Sequence, residues 1–269
     1  MAFFRDLYSK PGPGVHREAP RKTGAPRFFE ILARDIADLV KLNFLFLACC
    51  APSAALFVCF VLGVGGVFSI IFLLLSLVAA FPAGGAVSAC YYCIAKMLRD
   101  DPGFVWFDFK RKFKENYLAA IPVGIFCVLV FYIQVYTLIL LTGSGGAGVE
   151  PWMLVVNIVA LLAIGMIMPY VFVQIPHFYL KGGALMKNSL ILAFMYAPRS
   201  IMASVMGNAI WAVYAFFFPF SILFTPFIAI IVFSLNWLLT LMWIWKPVNE
   251  QFKIEETLAK RKEEAREGE

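Results

Sequence analysis

Residues 42–95 read LNFLFLACCAPSAALFVCFVLGVGGVFSIIFLLLSLVAAFPAGGAVSACYYCIA, with no charged side chain among them. As one helix the stretch would be about 80 Å long, whereas the hydrocarbon core of a bilayer is about 30 Å thick. The run therefore folds back on itself, and Gly63-Val64-Gly65-Gly66 is the place where it turns. A pair of apolar helices joined by a glycine turn belongs in lipid.

Three further stretches lack Asp, Glu, Lys and Arg: 117–149, 151–180 and 200–245. The last is again too long for one span and divides around Pro219 and Pro226. The whole chain is 62% hydrophobic and 15% charged, with mean hydropathy +0.82. Soluble domains average roughly 45–50% and about 25%. The fold class expected is all-α, a polytopic membrane protein. Its six transmembrane helices fall at about 43–62, 67–97, 118–142, 152–180, 200–218 and 222–245. Five spans remain possible if 200–245 holds one span and a re-entrant piece. The chain then divides into a leader (1–26), a transmembrane domain (27–245) and a charged tail (246–269). The leader is rich in Pro and Gly and has no apolar core of the kind a cleavable signal carries, so the first span is expected to direct insertion.

Lys and Arg concentrate on the cytoplasmic side of membrane proteins. With six spans, all 23 Lys and Arg fall on one side. The opposite loops carry only Glu150, at the end of the glycine-rich segment 143–150. With five spans the tail, from Lys253 to Arg266, would violate the rule. Both termini are therefore expected in the cytoplasm. The net charge of +6 reads as topology and attraction to anionic lipid, with no nucleic-acid partner expected.

Two segments alternate charge and apolar side chains at helical spacing. In 27–42, Glu30, Arg34, Asp38 and Lys41 form a wet face with i,i+4 pairs, opposite Phe28, Ile31, Leu32, Ile36 and Leu39. In 104–117, Trp106, Phe109, Phe113 and Tyr117 form a stripe among Lys110, Arg111, Lys112 and Lys114. Such a helix lies in the headgroup region. It is either a surface anchor or, through Trp106, Phe109, Lys110, Arg111, Phe113, Lys114 and Asn116, a docking surface. Residues 187–199 echo 113–122 weakly, Lys near Asn and then Pro, which is too little to establish a repeat.

Little in the chain is suited to catalysis. The two histidines, His16 and His177, are far apart, and a metal site needs several converging ligands. All six cysteines lie in apolar runs and read as small hydrophobes, Cys90-Tyr91-Tyr92-Cys93 included. No enzymatic activity, metal or cofactor is expected. Asn157, Asn208 and Asn236 stand within spans. They are either interhelical glue or a polar path for a neutral solute. Pro82, Gly84, Gly85 and Ser88 suggest a kinked second span with a face of small residues, suited to tight packing or to opening a cavity.

Four stretches in order resemble the YesL-like family of bacterial membrane proteins, catalogued as a domain of unknown function. They are Ser9-Lys10-Pro11-Gly12-Pro13-Gly14-Val15 ahead of Phe28-Phe29-Glu30 and Leu42-Asn43, then Pro82-Ala83-Gly84 with Tyr91 and Tyr92. Asp108 through Asn116 and Lys187-Asn188-Ser189-Leu190 follow. The resemblance implies a multi-pass protein of the bacterial cytoplasmic membrane. It also implies an association with binding-protein-dependent ABC importers of oligosaccharides, whose permease subunits would be partners. The function expected is a non-enzymatic accessory of carbohydrate uptake; the alternative is an autonomous permease or channel for a neutral solute. No P-loop sequence occurs, so the chain would not power transport itself.

Overall fold

The computed structural model describes residues 22–143, 150–178, 182–217, 220, 223 and 225–267. The leader up to residue 21, the glycine-rich 144–149, the last two residues of the expected fourth span, Lys181 and Pro219 lie outside the described residues. Those that are described form helices and no strand. Five of the helical stretches are long and apolar enough to cross a membrane, or six if one bent pair counts as a span. This is compatible with a multi-pass membrane protein.

The first helix, α1, runs Ala25–Val61. It joins the expected amphipathic segment to the first span without a break between them; its one non-helical residue, Asp35, falls within the amphipathic segment. Gly63, Gly65 and Gly66 then turn the chain with positive φ, which a side chain would resist. The return leg is α2 (Ser69–Ala79) and α3 (Phe81–Leu98). The break falls at Ala80, and Pro82 stands in the first turn of α3, where its missing N–H costs nothing.

Helix α4 spans Val105–Gly143 without interruption. The interfacial helix expected at 104–117 is thus not a separate element. Nothing between Tyr117 and Leu118 stops a helix, so the segment is the first part of a rod about 58 Å long. Helix α5 covers Pro151–Gln174. Next come α6 (Gly182–Met195) and α7 (Ala197–Phe216), bent by 100° at one residue. Residues 182–195, read from sequence as loop, are therefore helical. A short turn at Thr225–Phe227 and a π-helical turn at Ile228–Val232 lead into α8 (Phe233–Phe252). The expected tail begins inside α8 and continues as α9 (Ile254–Glu267).

Helix α3 is the axis of the bundle. Ala83, Gly84, Gly85, Ala86, Ser88 and Ala89 are all buried on it. Small side chains let neighbours come close, and α4, α1 and α8 all pack on it. A Cβ on Gly84 would stand 2.2 Å from the Ala120 carbonyl oxygen, and one on Gly124 would stand 2.5 Å from the Gly84 Cα. Helices α3 and α4 therefore cross backbone on backbone. Outside, large apolar side chains face outward, among them Leu62, Phe68, Leu118 and Phe216. So wide an apolar belt has no place in water.

Candidate functional site

Two features could carry function: a charged cluster at one end of the bundle and a cavity midway along it. The cluster starts with Arg27, a cation buried to 7% exposure. Its guanidinium donates to the Leu98 carbonyl (2.9 Å), to Asp100 (2.7 Å) and to Glu30 (3.2 Å). Arg34 donates to the Met97 carbonyl at 2.9 Å and pairs with Asp35 and Asp100. Two arginines of α1 thus cap the last carbonyls of α3, which have no partner within their own helix. The expected i,i+4 pairs along α1 do not form in this way. Arg34 turns toward α3 and its neighbour Asp35 instead, and the other local pairs are Arg27–Glu30 and Lys41–Asp38, three residues apart.

Asp100 holds a positive φ of 59°, tolerable for Asp, and receives both arginines. Burial pushes its carboxyl up, but the bonds from Arg34 and Arg27 outweigh that and hold it below the ordinary carboxylate value. Beside it Lys96 meets Asp108 at 2.6 Å, and Arg111 reaches the other oxygen of Asp108 at 2.9 Å. Arg34, Lys96, Asp100 and Asp108 line a cleft of about 310 Å³. No group of three or more His, Cys, Asp or Glu among the described residues is arranged to hold a metal.

The same end gathers the far part of the chain. The Arg99 guanidinium lies 5.2 Å from the ring centre of Trp245. The Trp245 indole donates to Glu255 at 2.9 Å. His177 lies between the rings of Tyr92 and Trp245, its Nδ1 2.7 Å from the Val173 carbonyl. Burial, with Arg99 and Lys112 nearby, pushes His177 down to about 4. The start of α1 and the end of α8 therefore share one end of the bundle.

The residues singled out as a docking surface divide. Trp106, Lys110, Arg111 and Lys114 are exposed. Phe109 and Asn116 are buried and Phe113 half-buried. The steps 109, 113 and 117 follow one helix face, and that face lies on α3, where Gly85 makes room for the Phe113 and Tyr117 rings. Asn116 donates back to the Lys112 carbonyl. The outward aromatic face is made instead by Phe104, Trp106 and Phe107, 79%, 56% and 69% exposed. The sequence reading missed Phe104, Phe107 and the Arg27–Asp100 anchor. Nothing local distinguishes a residue that meets its partner 73 positions away.

The cavity, about 390 Å³, lies between α1, α3, α4, α5, α7 and α8. Its walls are mostly apolar, with Phe46, Met168 and Trp237 among them. Asn208 and Asn236 line it, together with Ser204 and Thr240, which were not singled out; Asn157 does not. Asn157 stands about one turn before Leu161, the first cavity-lining residue of α5, where its backbone carbonyl accepts from Gln134 at 3.4 Å. The expected path of three asparagines is thus only two. Gly84 also borders the cavity, while the Ser88 hydroxyl is buried without a partner.

Comparisons with curated proteins and with solved structures each find no match. Residues 39–138, from the inner part of α1 to near the end of α4, match a family model described as Protein of unknown function, DUF624.

Proposed function

We propose that the protein is a six-span, non-enzymatic component of a bacterial cytoplasmic membrane, with both termini inside. It assists a binding-protein-dependent carbohydrate importer by docking to the permease. The assignment to oligosaccharide uptake comes from the YesL-like resemblance. The observation that carries the docking role is the basic end of α4. Phe104, Trp106 and Phe107 point outward beside Lys110, Arg111 and Lys114. Behind them Lys96 and Arg111 tie Asp108, and the helix is held from the inside. Exposed aromatic and arginine side chains on a rigid support are what interface hot spots are made of. An even number of spans is supported by the shared end of Arg27, Arg99 and Trp245, and the bent pair α6–α7 supplies the sixth.

The cavity speaks against the protein conducting the sugar itself. An oligosaccharide presents many hydroxyls, and each one buried without a partner costs about 1–3 kcal/mol. The wall provides Ser53, Tyr91 and Tyr132 and four polar side chains on α7 and α8, and five of these seven already donate to backbone: Ser53, Tyr132, Ser204, Asn208 and Thr240.

The test is purification of the tagged full chain in mild detergent, with companions identified by mass spectrometry. A permease subunit is expected with the wild type, and at least about tenfold less of it with Trp106→Ala combined with Phe107→Ala. Recovery as a lone species under several gentle conditions would count against docking. Sugar flux into vesicles holding only this protein would establish the permease reading instead.

A further inference from the structure

The cavity is unlike its surroundings in three respects. First, no Asp, Glu, Lys, Arg or His lines it. Secondly, besides Tyr91 on α3 and the mutually bonded Ser53 and Tyr132 on α1 and α4, it has one polar patch, where Ser204 and Asn208 on α7 face Asn236 and Thr240 on α8. Gly165 and Gly207 leave room for them, since a Cβ on either would lie within 3 Å of a polar side-chain atom of the patch. Thirdly, the Asn236 Oδ1 is buried with no hydrogen-bond partner. An unmet buried acceptor costs about 1–3 kcal/mol and is rarely left so without reason.

Depth and access complete the picture. Asn236 is ten residues before Lys246 and Asn208 nine after Arg199. At 1.5 Å per residue the patch sits about 15 Å from the basic end, halfway through a bilayer core. Helix α4 packs chiefly on α3, and α5 chiefly on α7, so a seam runs between α4 and α5. The cavity reaches that seam at Val128 and Phe131 on one side and Leu161 and Ile164 on the other, with Phe131 51% exposed.

We infer that this cavity is a binding site for a neutral single-chain lipid bearing a hydroxyl group. Such a molecule enters sideways from the bilayer between α4 and α5. Its alkyl chain fills the apolar part, and its hydroxyl donates to Asn236 Oδ1. A phospholipid does not fit this role. Its charged headgroup stays at the interface, about 15 Å away, and the cavity holds no counter-charge for it. At about 390 Å³ the space falls within the range of small-molecule pockets. The inference does not depend on the docking reading, because it concerns no protein partner.

Tryptophan fluorescence tests it, since Trp211 and Trp237, two of the six tryptophans, line the cavity. The full chain is placed in phosphatidylcholine vesicles and titrated with 9,10-dibromooctadecanol or, separately, with 9,10-dibromooctadecane. The alcohol is expected to quench about a third of the emission saturably, and to bind about fivefold tighter than the alkane, the worth of one hydrogen bond. Asn236→Leu should abolish the alcohol's advantage. Val87→Phe combined with Val128→Phe should remove the saturable component. Quenching that rises linearly and equally for both probes overturns the site. So does saturable quenching that ignores the filling substitutions. If dibrominated phosphatidylcholine quenches as the alcohol does, the occupant is a phospholipid tail and the neutral head is wrong. Should the filled variant fail to fold, the wild-type comparison of alcohol with alkane decides.

Discussion

Asn43 lies fully buried in the apolar run that decides the fold. Its Oδ1 accepts the backbone N–H groups of Phe233 (3.0 Å) and Ser234 (3.2 Å). Those two follow the π-helical turn Ile228–Val232, where the ordinary ladder is interrupted. Asn43→Leu should therefore lower stability by about 1–3 kcal/mol, read from thermal unfolding in detergent, because it removes the buried acceptor that both N–H groups share. The residue is visible in the sequence as a polar interruption, but its partners are 190 positions away. His177 makes a second prediction. Its value in the fold, about 4, is below the 6.5 of the unfolded chain, so the unfolded state binds more protons in between. Stability is full above about pH 6.5 and falls as pH drops toward 4, by on the order of 3 kcal/mol at most. Melting temperatures across pH 4–8 should show this slope, and His177→Phe should flatten it.

Among the elements, the α3–α4 crossing is the most sensitive. Gly124→Leu would drive a side chain into the Gly84 backbone, where no rotamer can yield. It should cost more than the usual 1–3 kcal/mol of overpacking and abolish a monodisperse gel-filtration peak, while Gly182→Ala, with open space around it, should be silent. The α1–α3 contact is milder. A double-mutant cycle on Arg27→Ala and Asp100→Ala should give a coupling of about 1 kcal/mol, discounted because the Asp100 side chain is 35% exposed. The small residues of α3 and the basic run of α4 are plain in the sequence. That the 109–113–117 face turns inward is not, because helical spacing defines a face without saying whether lipid or α3 lies against it.

For the whole molecule, the proposed orientation has a direct check. Val67, 92% exposed at the glycine turn, and Lys253, at the end of α8, should lie on opposite sides of the membrane. An impermeant maleimide should label Val67→Cys in intact cells and Lys253→Cys only after permeabilisation. Labelling of both in the same compartment would remove the six-span arrangement. The native cysteines are all within apolar helices, which keeps the background low.

Composition, the length of the uncharged runs and the glycine turn at 63–66 were enough to settle an all-helical chain with helices able to cross a bilayer. Hydrophobicity and chain reach are properties of the sequence itself and need no partner. The number of breaks near Pro82, the helix at 182–195 and the union of 104–117 with the following span were decided by packing. So was the fate of the three asparagines. Which of them meet depends on how α5, α7 and α8 are set against one another, and no periodicity within a single helix contains that information.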